Sequence, residues 1–88
     1  MERVSQEYLR HELREAEALI EKGARYVHFK NPEQEYRIVG FAVREDTNEV
    51  CVIYEGQYGE RIPFIRTLKN FTETVEHDGS TVPRFRRV

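Results

Sequence analysis

The spacing of hydrophobic residues changes near Gly23 and divides the chain into two parts. In the first part, an apolar stripe recurs at intervals of four, three and four residues, at Leu9, Leu13, Ala16 and Ile20. This is the spacing of one face of an α-helix. Ser5 is a residue type favoured at helix N-termini, and glycine is favoured just beyond their C-termini. The pattern therefore predicts an amphipathic helix over residues 6–22.

After Gly23 the hydrophobic residues alternate with polar ones, which is the period of a β-strand. The alternation predicts strands over residues 26–30, 36–44, 50–54, 61–66, 71–76 and 81–86. Asn31 and Pro32 are expected to end the first strand, and Gly40 to bend the second. Asp78 and Gly79 predict a hairpin turn. Residues 50–54 are apolar on both faces, so we expect this strand to be central.

These elements predict an α+β, mainly β fold, with one N-terminal helix followed by a small SH3-like antiparallel β-barrel at residues 24–87. Short strands joined by tight turns favour a barrel, because a closed sheet leaves no unpaired edge. The chain has 88 residues, of which 39% are hydrophobic, and this length suits a single domain over residues 1–88. A domain of this size is expected to function at a shallow surface or a subunit interface.

Two features point to the cytoplasm. No apolar run is long enough to span a membrane, and residues 1–4 lack the apolar core of a signal peptide. Cys51 is the only cysteine, so no internal disulfide is possible. Because Cys51 lies in an apolar strand without a basic neighbour in sequence, we expect an inert, buried thiol.

The formal net charge of −2 is unevenly distributed. Residues 31–60 carry seven acids and two bases, whereas residues 61–88 carry six bases and three acids. A protein that binds polyanions over its whole surface is normally basic overall. The charge distribution therefore favours, at most, a local contact with an anion.

Five ordered sequence blocks resemble one protein family. They are Tyr26-Val27-His28-Phe29-Lys30, Thr47-Asn48-Glu49 with Val52-Ile53-Tyr54, Tyr58-Gly59, Phe64-Ile65-Arg66 with Phe71, and Gly79 with Val82-Pro83-Arg84-Phe85. The family is domain of unknown function 1653, and the resemblance covers residues 24–87. Phe64 stands where the family prefers Trp, and Thr67 where it prefers Pro. The family is named for a function not yet known, so the resemblance implies a fold rather than an activity.

Aromatic and basic residues within these blocks form the candidate ligand site. They are His28, Lys30, Tyr54, Tyr58, Phe64, Arg66 and Arg84. By alternation His28 and Lys30 share one face of their strand, and if Val27, Phe29 and Phe85 point into the barrel, this polar set points outward. Arginine beside tyrosine can hold a planar or anionic group by bidentate hydrogen bonding and stacking. The alternative is that these side chains only pin loops of the barrel.

The leading hypothesis is a non-enzymatic binding module whose ligand is a nucleotide, a nucleic acid or a peptide. The second is a protein-interaction module that docks a partner or a second copy through residues 6–22. An enzyme is the least supported, since its loose acid–base candidates are only His28 with Glu49 or Glu55. The three histidines show no metal-ligand spacing, so neither a metal nor a cofactor is expected.

Overall fold

The computed structural model describes residues 4–88, and residues 1–3 of the predicted domain lie outside the described part. Its elements are α1 (Gln6–Leu19), β1 (Arg25–His28), β2 (Asn31–Val43), β3 (Val50–Gly56), β4 (Pro63–Thr67), α2 (Leu68–Thr72), β5 (Thr74–His77), β6 (Ser80–Pro83) and β7 (Phe85–Arg87). The fold is therefore mainly β with one N-terminal helix, as predicted.

Helix α1 begins where the sequence predicts. The backbone N–H of Tyr8 donates to the Ser5 Oγ at 3.0 Å, which satisfies one of the unpaired donors of the first turn. The helix ends at Leu19, before the predicted residue 22, because Ile20 adopts an extended conformation with φ −128° and ψ 117°. Ala16 and Ile20 are buried, and the helix packs against β2 and β3.

Five strands pair in the order β4-β3-β2-β1-β7, and β5 and β6 form a separate hairpin. All pairings are antiparallel, and β3 lies at the interior of the sheet, as its apolar sequence predicted. Within residues 4–88 no hydrogen-bonded ladder joins the edge strands β4 and β7. The sheet is open, so the predicted closed SH3-like barrel is not confirmed.

Three predicted strand boundaries were wrong. The strand predicted over residues 71–76 begins only at Thr74, because Phe71 and Thr72 belong to α2. Asn31 does not end the first strand but begins β2, where it pairs with His28. The predicted strand over residues 81–86 divides at Arg84, whose N–H donates to the Glu73 carbonyl at 3.0 Å. The Arg84 carbonyl accepts from the Phe29 N–H at 3.0 Å. The chain thereby leaves the hairpin and joins β1 as β7.

The hairpin turn is as predicted, since Asp78 and Gly79 both have positive φ, at 50° and 79°. Such angles at two successive residues define the turn that suits the twist of paired strands. Asp78-Gly79 is a favoured pair there, because glycine adopts positive φ without steric cost.

The core combines buried residues of β2, β3, α2 and β7 with two residues that lie between α1 and β1. Its members are Ile20, Ala24, Ile38, Val52, Tyr54, Phe71 and Phe85. Phe71 of α2 stacks on Phe85 of β7, with ring centroids 4.2 Å apart. Cys51 is buried as predicted, and its burial raises the pKa of the thiol. None of the helices within residues 4–88 has the length and apolar character needed to cross a membrane.

Candidate ligand-binding pocket

The pairing of β1 with β7 places His28 directly opposite Phe85. Residues directly opposite on neighbouring strands project from the same face of a sheet. His28 therefore shares its face with the buried Phe85, and their rings are 5.0 Å apart in an edge-to-face arrangement. Val27, on the other face of β1, is buried but outside the main core. The condition considered from sequence, that Val27 and Phe85 share the inner face, is therefore not met, and His28 does not point away from Phe85.

The pairing of β3 with β4 contributes further residues to the site around His28 and Phe85. Tyr54 pairs with Phe64, and Val52 pairs with Arg66. Together these strands enclose a pocket of about 170 Å³, lined by His28, Tyr36, Tyr54, Phe64, Arg66 and Phe85. Four of these were predicted as site residues, namely His28, Tyr54, Phe64 and Arg66. Tyr36 and Phe85 were missed as lining residues, and only the pairing of β1 with β2 and β7 could have added them.

Arg66 supplies the positive charge of the pocket. Its Nε donates to the Tyr54 hydroxyl at 2.9 Å and its Nη1 donates to the Asn70 Oδ1 at 2.7 Å. Its Cζ lies 5.2 Å from the centroid of the Phe85 ring, within the range of a cation–π contact. None of the ion pairs within residues 4–88 includes Arg66. The guanidinium is thus oriented by neutral partners, without a carboxylate partner among the described residues.

Two N–H groups at the pocket remain available to a ligand. Within residues 4–88, neither the Nη2 of Arg66 nor the Nε2 of His28 forms a hydrogen bond. In the same part of the chain no side-chain nitrogen or oxygen is both buried and without a partner. Both groups are therefore accessible to solvent, and both can donate to an acceptor placed in the pocket.

His28 is held in one orientation by its own turn. The backbone N–H of Lys30 donates to the His28 Nδ1 at 3.2 Å, which assigns the proton of the neutral ring to Nε2. Burial lowers the pKa of His28, and the positive charges of Arg66, Lys30 and Arg84 lower it further. Three cations thus act on this end of the pocket in a chain that is acidic overall.

The remaining walls are aromatic. Tyr54 is only 5% exposed, so it positions Arg66 rather than offering a contact surface of its own. Phe64 is 39% exposed and forms the outer wall. The Tyr36 ring lies edge-on to those of Tyr54 and Phe85, at 5.4 and 6.1 Å. Burial and a hydrogen bond to Tyr58 raise the pKa of Tyr36 to about 12, so its hydroxyl stays neutral.

Three predicted site residues do not line the pocket. Lys30 lies beyond the end of β1, with its Nζ 5.8 Å from the Phe29 ring centroid. Tyr58 reaches the pocket only through Tyr36, whose hydroxyl is 3.0 Å from its own. Arg84 donates from Nη1 to the carbonyl of Asn70 in α2 at 3.0 Å and pairs with Glu73. It therefore links α2 to the hairpin.

The acid–base pairs considered from sequence are not formed in the described part of the chain. Glu55 follows Tyr54 and therefore projects from the opposite face, where it lies 3.9 Å from Arg37. Glu49 precedes β3, and its N–H donates to the Thr47 Oγ1 at 3.3 Å. Neither carboxylate has a hydrogen bond or ion pair with His28.

Comparison with known proteins identifies the family. The sequence profile of the family described as protein of unknown function (DUF1653) matches residues 24–87. The chain belongs to the DUF1653 family. A crystal structure of a DUF1653 protein from Bordetella bronchiseptica is similar, with 30% sequence identity and a TM-score of 0.65. The similarity covers 76% of this chain and 86% of that one. No curated protein matches the chain.

The DUF1653 match includes every residue that lines the pocket and excludes α1. The pocket is therefore built entirely from the part of the chain that defines the family.

Proposed function

We propose that this DUF1653 domain is a non-enzymatic binding module that holds a planar or anionic group of a nucleotide, a nucleic acid or a peptide. The observation that carries the proposal is the Arg66 guanidinium, which lies among aromatic rings without a carboxylate partner in the described chain. A half-buried charge is costly unless something compensates it, and a bound anion would do so.

The size of the pocket limits what it holds. Sites for whole drug-sized ligands span about 300–1,000 Å³, whereas this pocket is about 170 Å³. It therefore suits one functional group at the end of a larger molecule. A cationic group is disfavoured by Arg66, and the aromatic walls suit a flat group that stacks or packs edge-on.

We infer that the sheet curls as an SH3-like barrel would, and that the pocket occupies its unclosed seam. Arg66 and Phe64 belong to one edge strand, β4, and Phe85 belongs to the other, β7. The guanidinium of Arg66 nevertheless lies over the Phe85 ring, 5.2 Å away. Side chains rather than backbone hydrogen bonds then join the two edges, which leaves room for a ligand between them.

Titration of the ¹⁵N-labelled protein with benzoate, inorganic phosphate and adenosine monophosphate tests the proposal. At least one probe is expected to shift the resonances of the pocket residues, and Arg66→Gln is expected to weaken that binding by about tenfold or more, because a charge-assisted hydrogen bond is lost. Arg66→Lys keeps the charge without the planar guanidinium, so its affinity for that probe should lie between those of the wild type and Arg66→Gln. Arg10→Gln, on the exposed face of α1, is the matched control.

Equal binding by wild type and a folded Arg66→Gln variant would remove Arg66 from the site. No shift with any of the three probes would count against the binding module itself.

A second function is favoured by α1, which leaves Leu19 64% and Tyr8 49% exposed. We propose, as the alternative, a partner or a second copy docked on residues 6–22. Sedimentation of the wild type and of Leu19→Glu tests whether a second copy docks on α1. A dimer that forms through α1 is expected to dissociate in Leu19→Glu.

We also infer a cytoplasmic location, because the one cysteine is buried and unpaired, as suits a reducing compartment.

A further inference from the structure

A second depression lies on the other side of His28 from the Arg66 pocket. It has a volume of about 240 Å³ and is lined by Val27, His28, Phe29, Pro32, His77, Val82, Pro83 and Arg86. Most of these side chains are apolar, and the hairpin strand β6 forms one wall. We name this depression the hairpin groove.

The pocket and the hairpin groove share His28 as a common wall. Aromatic rings run without interruption from one to the other: Phe85 is 5.0 Å from His28, His28 is 4.7 Å from Phe29, and Phe29 is 5.2 Å from His77. A ligand whose anionic end occupies the pocket therefore meets a mainly apolar surface, with Arg86 at its margin, as it passes His28.

The opposite side of the pocket has different chemistry. Beyond Tyr36 and Tyr58 lies a depression lined partly by Glu33, Glu35 and Arg25, of which Arg25 pairs with Glu35 at 3.2 Å. With two carboxylates and one guanidinium this margin is net acidic, which disfavours the successive phosphates of a polynucleotide chain. The two margins together favour a ligand with a single anionic end and an otherwise apolar body.

We propose that the ligand is the C-terminal end of a peptide or protein. Its α-carboxylate accepts hydrogen bonds from Arg66 and from the His28 Nε2–H, and the apolar side chains that precede it lie in the hairpin groove. A guanidinium N–H forms a strong, charge-assisted hydrogen bond to a carboxylate, and capture of a C-terminal carboxylate is a known mode of peptide recognition. This inference rests on the proposed function and specifies its ligand.

The test uses two pools of N-acetylated hexapeptides whose last three residues are drawn from Val, Leu, Ile, Phe and Pro. One pool carries free C-terminal carboxylates and the other carries C-terminal amides, and their affinities are compared by competition. The acid pool is expected to bind about tenfold or more tightly than the amide pool, because the charged acceptor is absent from the amide. Equal affinity of the two pools would overturn the inference.

Variants separate the pocket from the groove. Val82→Gln places a polar side chain in the groove and is expected to weaken the acid pool while leaving benzoate, which fills only the pocket, unaffected. Thr81→Gln introduces the same side chain on the other face of β6, and its affinity for the acid pool should equal that of the wild type. If Val82→Gln does not change the affinity for the acid pool, the groove is not part of the site.

Two further outcomes distinguish this inference from the proposed function. If benzoate binds in an Arg66-dependent way but the acid pool binds no more tightly than benzoate, the peptide ligand is wrong and the binding module stands. If a 5′-phosphorylated thymidine hexamer binds more tightly than the acid pool, the ligand is a nucleic-acid end instead.

Discussion

Tyr54 fixes the direction of the Arg66 side chain through a hydrogen bond that its hydroxyl accepts at 2.9 Å. Tyr54→Phe removes this acceptor and leaves the ring, so the core stays packed. We expect the free energy of unfolding to fall by about 0.5–1.5 kcal/mol, together with weaker binding at the pocket because Arg66 loses one of its two supports. Urea denaturation and the benzoate titration measure the two effects.

Tyr58→Phe is the matched control for Tyr54→Phe. Like Tyr54→Phe, it removes a hydrogen-bonded tyrosine hydroxyl. The Tyr58 hydroxyl, however, is bonded to that of Tyr36 at 3.0 Å and not to Arg66. The benzoate affinity of Tyr58→Phe should therefore equal that of the wild type. If the two substitutions weaken binding equally, the hydrogen bond to Arg66 is not what orients the site.

The pKa of His28 reports on the charges around the pocket. Burial and the charges of Arg66, Lys30 and Arg84 lower it from the usual 6.5. In the interval between the lowered value and 6.5, the unfolded chain binds a proton that the folded chain does not, so His28 makes stability increase with pH across that interval and not above it. A proton NMR titration is expected to give a midpoint below 6.5.

Substitution of Arg66 tests whether its charge contributes to the lowered pKa of His28. In Arg66→Gln the midpoint of His28 should rise toward 6.5, and in Arg10→Gln, on α1, it should not move. A wild-type midpoint at or above 6.5 would show that His28 is neither buried nor beside the cations as described.

Part of the candidate site could be grouped from the sequence because its residues share aromatic or basic chemistry, whereas the faces of the strands could not be assigned. His28, Tyr54, Phe64 and Arg66 were grouped by residue chemistry, and these four side chains line one pocket. Phe85 was assigned to the core alone, since its face is set relative to His28 by the pairing of β1 with β7, between residues far apart in sequence. Register of that kind cannot be derived from either strand by itself.

Helix α2 follows the edge strand β4 and supports the Arg66 side chain of the pocket. Thr67 caps this helix, with its Oγ1 accepting from the Asn70 N–H at 3.1 Å, and Asn70 in turn accepts from Arg66. Thr67→Ala is expected to cost about 0.5–2 kcal/mol of stability and to loosen the second support of Arg66. Thr67→Ser keeps the hydroxyl and should restore both stability and benzoate binding, which excludes an effect of the methyl group.

Local signals predicted the elements more successfully than their boundaries. The Ser5 cap and the Asp78-Gly79 turn each depend on a few neighbouring residues, and both are present. The division between β6 and β7 depends on the Arg84 backbone, which bonds to Glu73 and Phe29 from two distant elements. Val82 and Phe85 are three residues apart with Pro83 between them, which breaks strict alternation within residues 81–86 but does not place the break at Arg84.

The whole molecule joins a family domain to a helix that the family profile does not include. Ile20, which immediately follows α1, contributes to the same core as Phe71 and Phe85. Ile20→Ala is therefore expected to cost about 2–5 kcal/mol, as for other buried aliphatic residues. Leu19→Ala, at the adjacent exposed position, should change stability by less than about 0.5 kcal/mol. Equal losses in urea denaturation would mean that α1 does not pack as described.

The charge distribution of the whole chain predicts how binding responds to salt. The net charge is −2, and the pocket is bordered on one side by Glu33 and Glu35, so a polyanion has no continuous basic track to follow. A 5′-phosphorylated thymidine hexamer held only by its end would neutralise one or two charges. Its affinity should fall by less than about tenfold between 50 and 200 mM NaCl, whereas a track of six to ten phosphate contacts loses about 10³-fold or more. Titration calorimetry at the two salt concentrations measures this slope, and a loss of the larger size would mean that the domain binds the length of a strand and not its end.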